Sequence, residues 1–304
     1  MQQEQQTGIG SRPEIEQQLE AMRKALVIRN YATKTVSTYV SVLRRYLRQL
    51  DKPVADVGPA DIQAWQYVLV NDKVSWSLFN QMVCALRFYF QKVRACDWSV
   101  EHIPFQRRRR RLPTILTKEE IGRLLDAARP HPKHLAILST LYSTGLRLGE
   151  LVRLKISDID SKAMLVHVRQ GKGGKDRQVQ LSVQLLATLR DYYRSCLDKP
   201  KSWLFPGTKA DCHLDPSGIQ RMVPALARKA GIDKPVSPHT LRHCFATHLL
   251  EDHTDLRTIQ SMLGHSNIQS TEVYLHVAAH HLQNVRNPLD NLPSVATQAC
   301  GIAR

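Results

Sequence analysis

Residues 102–116, His-Ile-Pro-Phe-Gln-Arg-Arg-Arg-Arg-Arg-Leu-Pro-Thr-Ile-Leu, constrain this chain more than any other stretch. Two prolines and five consecutive arginines make a poor helix and a good extended linker. With 304 residues, the chain can build a sizeable core on each side of it. The expected organisation is a helical domain over 13–101, the linker over 102–116, a second domain over 117–290 and a tail over 291–304. A charge run is usually a solvated surface. Between two globular units, Arg107, Arg108, Arg109, Arg110 and Arg111 read better as a strap over a phosphate backbone.

Before the linker, apolar residues at 36, 39, 40, 43, 46, 47 and 50 form a stripe of helical period. A second stripe runs through Phe79, Met82, Val83, Leu86, Phe90 and Val93, with arginines and lysine interleaved. Four helices fit, at about 14–29, 33–50, 59–71 and 75–95. After the linker, Thr117 and Glu120 have the spacing of a capping box. Helices fit at about 117–128, 133–143, 182–197, 217–230, 238–251 and 255–263. Between them, Leu-Val-His-Val-Arg-Gln and Arg-Gln-Val-Gln-Leu flank Gly171–Asp176 and predict a β-hairpin with a glycine-rich tip. The fold class expected is mostly α in two domains. An N-terminal four-helix domain would precede an α+β domain with a small β-sheet or hairpin.

Charge narrows the partner. Lysine and arginine exceed aspartate and glutamate by 43 − 27 = 16. Such an excess favours a polyanion, because neutralised phosphates release counterions. Ribosomal proteins and binders of anionic lipid share this property. No apolar run approaches the roughly 18 residues of a bilayer span, and the Gln-rich N-terminus has no signal-peptide pattern. A cytoplasmic, nucleoid-associated protein is expected. The six cysteines contain no Cys-x-x-Cys pair, which argues against a zinc knuckle or a disulfide framework.

Four short stretches carry the chemistry. In Thr-Gly-Leu-Arg-Leu-Gly-Glu-Leu (144–151), Arg147 opens a short helix and Glu150 stands three residues on, placed to orient its guanidinium. Around Gly171–Lys172–Gly173–Gly174–Lys175–Asp176 the text looks like a P-loop and fails as one. Val166 stands where the first glycine belongs, and Gly173 follows Lys172 where Ser or Thr is needed. A hairpin lysine, Lys172 or Lys175, can instead hand over a proton. In Ser-Pro-His-Thr-Leu-Arg-His (237–243), Ser237 caps a helix whose first turn presents His239 and Arg242. His239 and His243 have the spacing of a zinc-binding pair, but Thr240 replaces the glutamate that a metalloprotease needs, so no metal is expected. Finally, Gly264 closes a helix, His265 follows, and a short helix from about Ser270 is expected to carry Tyr274.

Two arginines can hold the non-bridging oxygens of a phosphodiester and bind harder as charge grows in the transition state. A tyrosine, with a pKa of about 10, needs help to act as a nucleophile. A lysine or histidine can protonate the departing sugar oxygen. A phosphotyrosyl ester would conserve the bond energy, so neither ATP nor a cofactor is required.

Arg147, Lys172, His239-x-x-Arg242, His265 and Tyr274, in this order and spacing, resemble the tyrosine recombinase (phage integrase) family. The resemblance covers most of 117–285 and looks closest to compact integron or mobile-element and Xer-like members. It implies that Arg147, Arg242 and His265 bind the scissile phosphate, that His239 assists proton transfer and that Lys172 is the general acid. Tyr274 would attack and hold the 3′-phosphate. It further implies a clamp around double-stranded DNA with inverted half-sites. A homotetramer on two duplexes would work through a Holliday junction, and the C-terminal segment could dock on a neighbouring protomer. The rival readings are a type IB topoisomerase-like relaxase and a catalytically silent DNA-binding accessory protein.

Overall fold

The computed structural model describes residues 12–98, 100–107, 112–169, 176–208, 211–264, 267 and 269–275. The chain divides into two compact units, Met1–Arg110 and Arg111–Arg304. The described residues are mostly helical with one small sheet, as the sequence pattern predicts. Among the described residues, no helix is long and apolar enough to cross a membrane.

In the first unit, α1 (Arg12–Ile28), α2 (Thr33–Leu47), α3 (Pro59–Asn71) and α4 (Trp76–Phe88) surround one apolar core. The stripes seen in the sequence are its lining: Val40, Leu43, Phe79, Val83 and Leu86 are all buried. Turn chemistry sets the starts. Pro59 takes the first position of α3 while the Asp61 carboxylate accepts from the Gly58 N–H at 2.8 Å, and the Ser75 hydroxyl caps α4. The fourth helix expected over 75–95 ends its α-helical part at Phe88 and continues as a π-helical turn, Tyr89–Val93. Tyr89 and Phe90 are both fully buried there, edge to face at 5.0 Å.

The first third of the proline–arginine stretch lies against these helices. Gln63 and Gln66 of α3 donate to the carbonyls of His102 and Pro104 at 2.7 and 2.9 Å. Asn80 holds both backbone groups of Gln106, and Arg87 donates twice to the Ile103 carbonyl while stacking over Phe105. Side chains thereby satisfy an extended backbone that pairs with no strand. Arg107 is exposed; Arg108, Arg109, Arg110 and Arg111 lie outside the described residues, as does the tail.

The second unit opens with α5 (Lys118–Ala128), capped by Thr117 and Glu120 in the reciprocal arrangement expected. Helix α6 (Pro132–Thr144) is its centre, packed by α5, by α8 (Val183–Ser195) and by α10 (Pro238–Glu251). The short α7 (Leu148–Val152), α9 (Pro216–Lys229) and α11 (Leu256–Leu263) complete the helical shell. The sheet is β1 (Ile159–Asp160), β2 (Leu165–Val168) and β3 (Arg177–Gln180), antiparallel in that order. The β2–β3 hairpin is as expected, with Val166 opposite Val179 and Val168 opposite Arg177. Its glycine-rich tip lies outside the described residues. The two-residue β1 had no sequence signal. Leu116, just before α5, is fixed to α10 at both backbone groups: its N–H meets the Cys244 sulfur and its carbonyl accepts from His248. The other imidazole nitrogen of His248 meets the Tyr142 hydroxyl at 2.8 Å.

Candidate active site

Two left-handed glycines and one capped helix build the site. Gly145 (φ 60°) ends α6, and a side chain there would run into the Phe245 ring. The chain then turns, with Arg147 as the residue before α7. Ser237 caps α10 and Pro238 occupies its first position, as the sequence predicts. Gly264 (φ 63°) closes α11.

The last carbonyls of α11 collect three guanidinium groups. Arg177 Nε donates to the Met262 carbonyl at 2.7 Å, Arg242 Nη2 to that of Leu263 at 2.7 Å and Arg147 Nη2 to that of Gly264 at 3.3 Å. Carbonyls at a helix C-terminus have no intrahelical partner and carry partial negative charge, so cations gather there. Arg242 also donates to the Gly145 carbonyl at 2.5 Å, and only 3% of it is exposed. Burial, then the nearby Arg147, lowers its pKa to about 10, which leaves it charged at neutral pH.

Glu150 is the anion of the group. Its Oε1 accepts from Arg147 Nη1 at 2.9 Å and Arg177 Nη1 at 3.0 Å; its Oε2 accepts from Arg177 Nη2 at 2.8 Å and the Arg147 N–H at 2.9 Å. Burial pushes this carboxyl up, but the hydrogen bonds and charge of Arg177, joined by those of Arg147, overcome that and hold it at about 2. Three guanidiniums against one carboxylate leave this cluster with a formal excess of two positive charges, suited to a phosphodiester.

Tyr274 is 2% exposed, packed with Phe245, Ala246, Leu250, Ile259 and Leu263. It sits in a turn just after α12 (Gln269–Glu272) rather than inside a helix, because its N–H bonds the Thr271 carbonyl at 3.0 Å and the helix stops there. Its hydroxyl lies 3.1 Å from His243 Nδ1. Burial raises the Tyr274 pKa, against the pull of Arg242 and Arg147. Burial also lowers His243 to about 4, with His239 and Arg242 adding to the effect, so a neutral imidazole faces the phenol. His239 is exposed on the first turn of α10; its partial enclosure, then Arg242 and Arg147, lower its pKa.

Arg147, Glu150, His239, Arg242 and Tyr274 therefore converge, linked by hydrogen bonds or by their mutual charge effects. Lys172, Lys175 and His265 lie outside the described residues. Sequence reasoning missed Arg177 and the role of His243 as the tyrosine's partner. Arg177 had a legible signal: it shares a strand face with buried Val179, so an arginine there points inward and needs an anion. Among the described residues, no group of three or more His, Cys, Asp or Glu side chains could hold a metal ion.

The geometry defines a cationic site suited to a phosphodiester, with a buried tyrosine in its wall. The profile of the phage integrase family matches residues 114–281, and that of the phage integrase N-terminal SAM-like domain matches 19–100. A Sinorhizobium fredii protein with the provisional name integrase/recombinase y4qK is 38% identical, over 90% of this chain and 89% of its own. Tyrosine recombinase XerA of Pyrococcus furiosus is 34% identical, over 90% of this chain and 95% of its own. Among solved structures, a lambda integrase tetramer bound to a Holliday junction shares the fold at 22% identity. Its TM-score is 0.69, over 86% of this chain and 76% of that one. The chain belongs to the phage integrase family of tyrosine recombinases. It is a site-specific DNA recombinase, an enzyme that cleaves and rejoins strands through a phosphotyrosine intermediate.

Proposed function

We propose that Arg147 and Arg242 bind the scissile phosphate and that Tyr274 attacks it. The observation that carries this reading is their common anchorage: both arginines hang from the consecutive carbonyls of Leu263 and Gly264, and the charge of both acts on Tyr274. The phenol oxygen forms a bond to phosphorus, the bond to the 5′-oxygen breaks, and the 3′-phosphate stays on Tyr274. His239, whose lowered pKa favours a free nitrogen, takes up the phenol proton. Lys172 delivers a proton to the departing 5′-oxygen, with Lys175 as its neighbour on the same hairpin, and His265 adds a donor to the phosphate. Rejoining is the reverse with a new 5′-hydroxyl. Because Tyr274 is buried against His243, cleavage requires the segment after α12 to shift when DNA binds.

The helical domain, over 13–101, and the catalytic domain, over 117–290, would hold one half-site of duplex DNA, with Arg107–Arg111 as the strap between them. Four protomers on two duplexes, each with inverted half-sites, would exchange strands through a Holliday junction. The likeness in fold to a lambda integrase tetramer on such a junction supports this. Such an activity suits a mobile element and an enzyme working on cytoplasmic, nucleoid DNA. The test is covalent trapping with nicked duplexes tiling the DNA that flanks its gene. An SDS-resistant adduct on Tyr274, absent in Tyr274→Phe, is expected. Tight duplex binding with no adduct on any tile would overturn the reading.

A further inference from the structure

Arg177 is the one guanidinium in the cluster that the phosphate chemistry above leaves without a task. Its Nε and both terminal nitrogens are committed to Met262 and Glu150, and 9% of its side chain is exposed, so it is poorly disposed to touch DNA. Arg147 differs. It gives one terminal nitrogen to Glu150, holds a long 3.3 Å contact to Gly264, and 23% of its side chain is open.

The carboxylate between them is saturated. Two oxygens offer about four lone-pair directions, and four N–H groups fill them. Without Arg177, half of those directions fall vacant, and among the described residues the cation already bonded to Glu150 and able to fill them is Arg147. A fork–fork pair with Glu150 would then draw Arg147 inward, away from the phosphate. Gly264 enters the same arrangement, because a Cβ there would lie 3.1 Å from Arg177 Cδ and 3.2 Å from Nη1. Arg177 also stands two residues after Lys175, at the end of the hairpin tip, so it fastens the base of that hairpin to α7 and α11.

We propose that Arg177 is a positioning residue for strand cleavage: by occupying half of the Glu150 carboxylate it keeps the Arg147 guanidinium turned toward the scissile phosphate. This rests on the assignment of Arg147 to that phosphate. The side chain acts on rate rather than on affinity, since duplex binding is spread over many basic groups. Lysine cannot replace it, because one ammonium cannot span both Glu150 oxygens and the Met262 carbonyl.

The experiment uses the full chain with Arg177→Gln, Arg177→Lys, Glu150→Gln and the Arg177→Gln/Glu150→Gln double variant. The substrate is a nicked duplex that gives an adduct with the unaltered protein. Arg177→Gln should slow adduct formation about 100-fold while its duplex Kd stays within about twofold, the scale of a misplacement of about 1 Å. Arg177→Lys should fall between. Adding Glu150→Gln to Arg177→Gln should recover about tenfold, because nothing then draws Arg147 inward. An unchanged rate in Arg177→Gln overturns the proposal, as does a double variant whose losses simply multiply. Should Arg177→Gln not fold, Arg177→Lys decides through the 15N side-chain NMR signal of Arg147 in the DNA-free protein. That signal should shift, and an unmoved one overturns the proposal. If no duplex traps the unaltered protein, the functional reading falls, while the NMR measurement still decides whether Arg177 sets the Arg147 position.

Discussion

Replacing Glu150 by glutamine removes the buried carboxylate that two partly buried guanidiniums share, and the cost should depend on pH in a defined way. The ordinary glutamate value is 4.5, and in the folded protein this carboxyl sits at about 2. A depressed acid contributes stability that is fully present above 4.5 and is lost as pH falls toward 2. Each pH unit between the two values is worth about 1.4 kcal/mol, so the interval amounts to about 3 kcal/mol. Breaking a buried ion pair from one side costs roughly 3–5 kcal/mol, which is consistent. Urea unfolding followed by far-UV circular dichroism, at fixed pH values from 7 to 2, measures the gap between the two proteins. Glu150→Gln should be about 3 kcal/mol less stable at pH 7, and most of the gap should close as pH approaches 2, where the natural carboxyl is half protonated. A gap that stays constant across that range would refute the reasoning, since it would mean Glu150 acts by shape rather than by charge.

Tyr274→Phe should abolish the SDS-resistant adduct, leave duplex affinity intact by gel shift, and cost about 1 kcal/mol or less in urea unfolding for the lost contact to His243. Gly264→Ala should destabilise by about 1 kcal/mol from its left-handed backbone. It should also slow single-turnover cleavage at a temperature where the variant is still folded, because the added methyl displaces Arg177. His243 has a folded value near 4 against an ordinary 6.5, so the unfolded chain takes the proton first as pH falls through that window. The unaltered protein should lose up to about 3 kcal/mol between pH 6.5 and 4 on this account, and His243→Gln should lack that share of the slope in urea titrations. Changing Arg107–Arg111 to glutamine should flatten the dependence of log Kd on log salt by about 4 to 5, at roughly 0.9 per phosphate lost.

What the sequence made legible was local. Ser237 before Pro238, Thr117 three residues before Glu120, and Gly264 after an amphipathic helix each carry their chemistry within a few positions, and each sits where that chemistry predicts. The apolar stripes of α2 and α4 marked the first unit's core for the same reason. The site itself was legible as residue types in order, with Arg147, Glu150, His239, Arg242 and Tyr274 brought together as the pattern implies. What escaped depends on partners far along the chain. Arg177 meets Glu150 across 27 positions, Tyr274 meets His243 across 31, and Gln66 meets Pro104 across 38. No periodicity or cap records such pairs. The burial of Tyr274 escaped for a related reason: the apolar wall around it comes from α10 and α11, far back in the chain, and not from the short helix just before it.

The three carbonyls at the end of α11 have a consequence for how this protein can vary. The groups that hold Arg177, Arg242 and Arg147 there are main-chain oxygens, which every amino acid supplies. Side chains on the exposed face of α11 should therefore tolerate wide exchange. Its length should not: one residue added or removed within Leu256–Leu263 turns the terminal carbonyls by about 100° relative to the rest of the helix. A deep scan of this segment would then be permissive to substitution and closed to insertion or deletion, a signature of a site written in backbone phase rather than in letters.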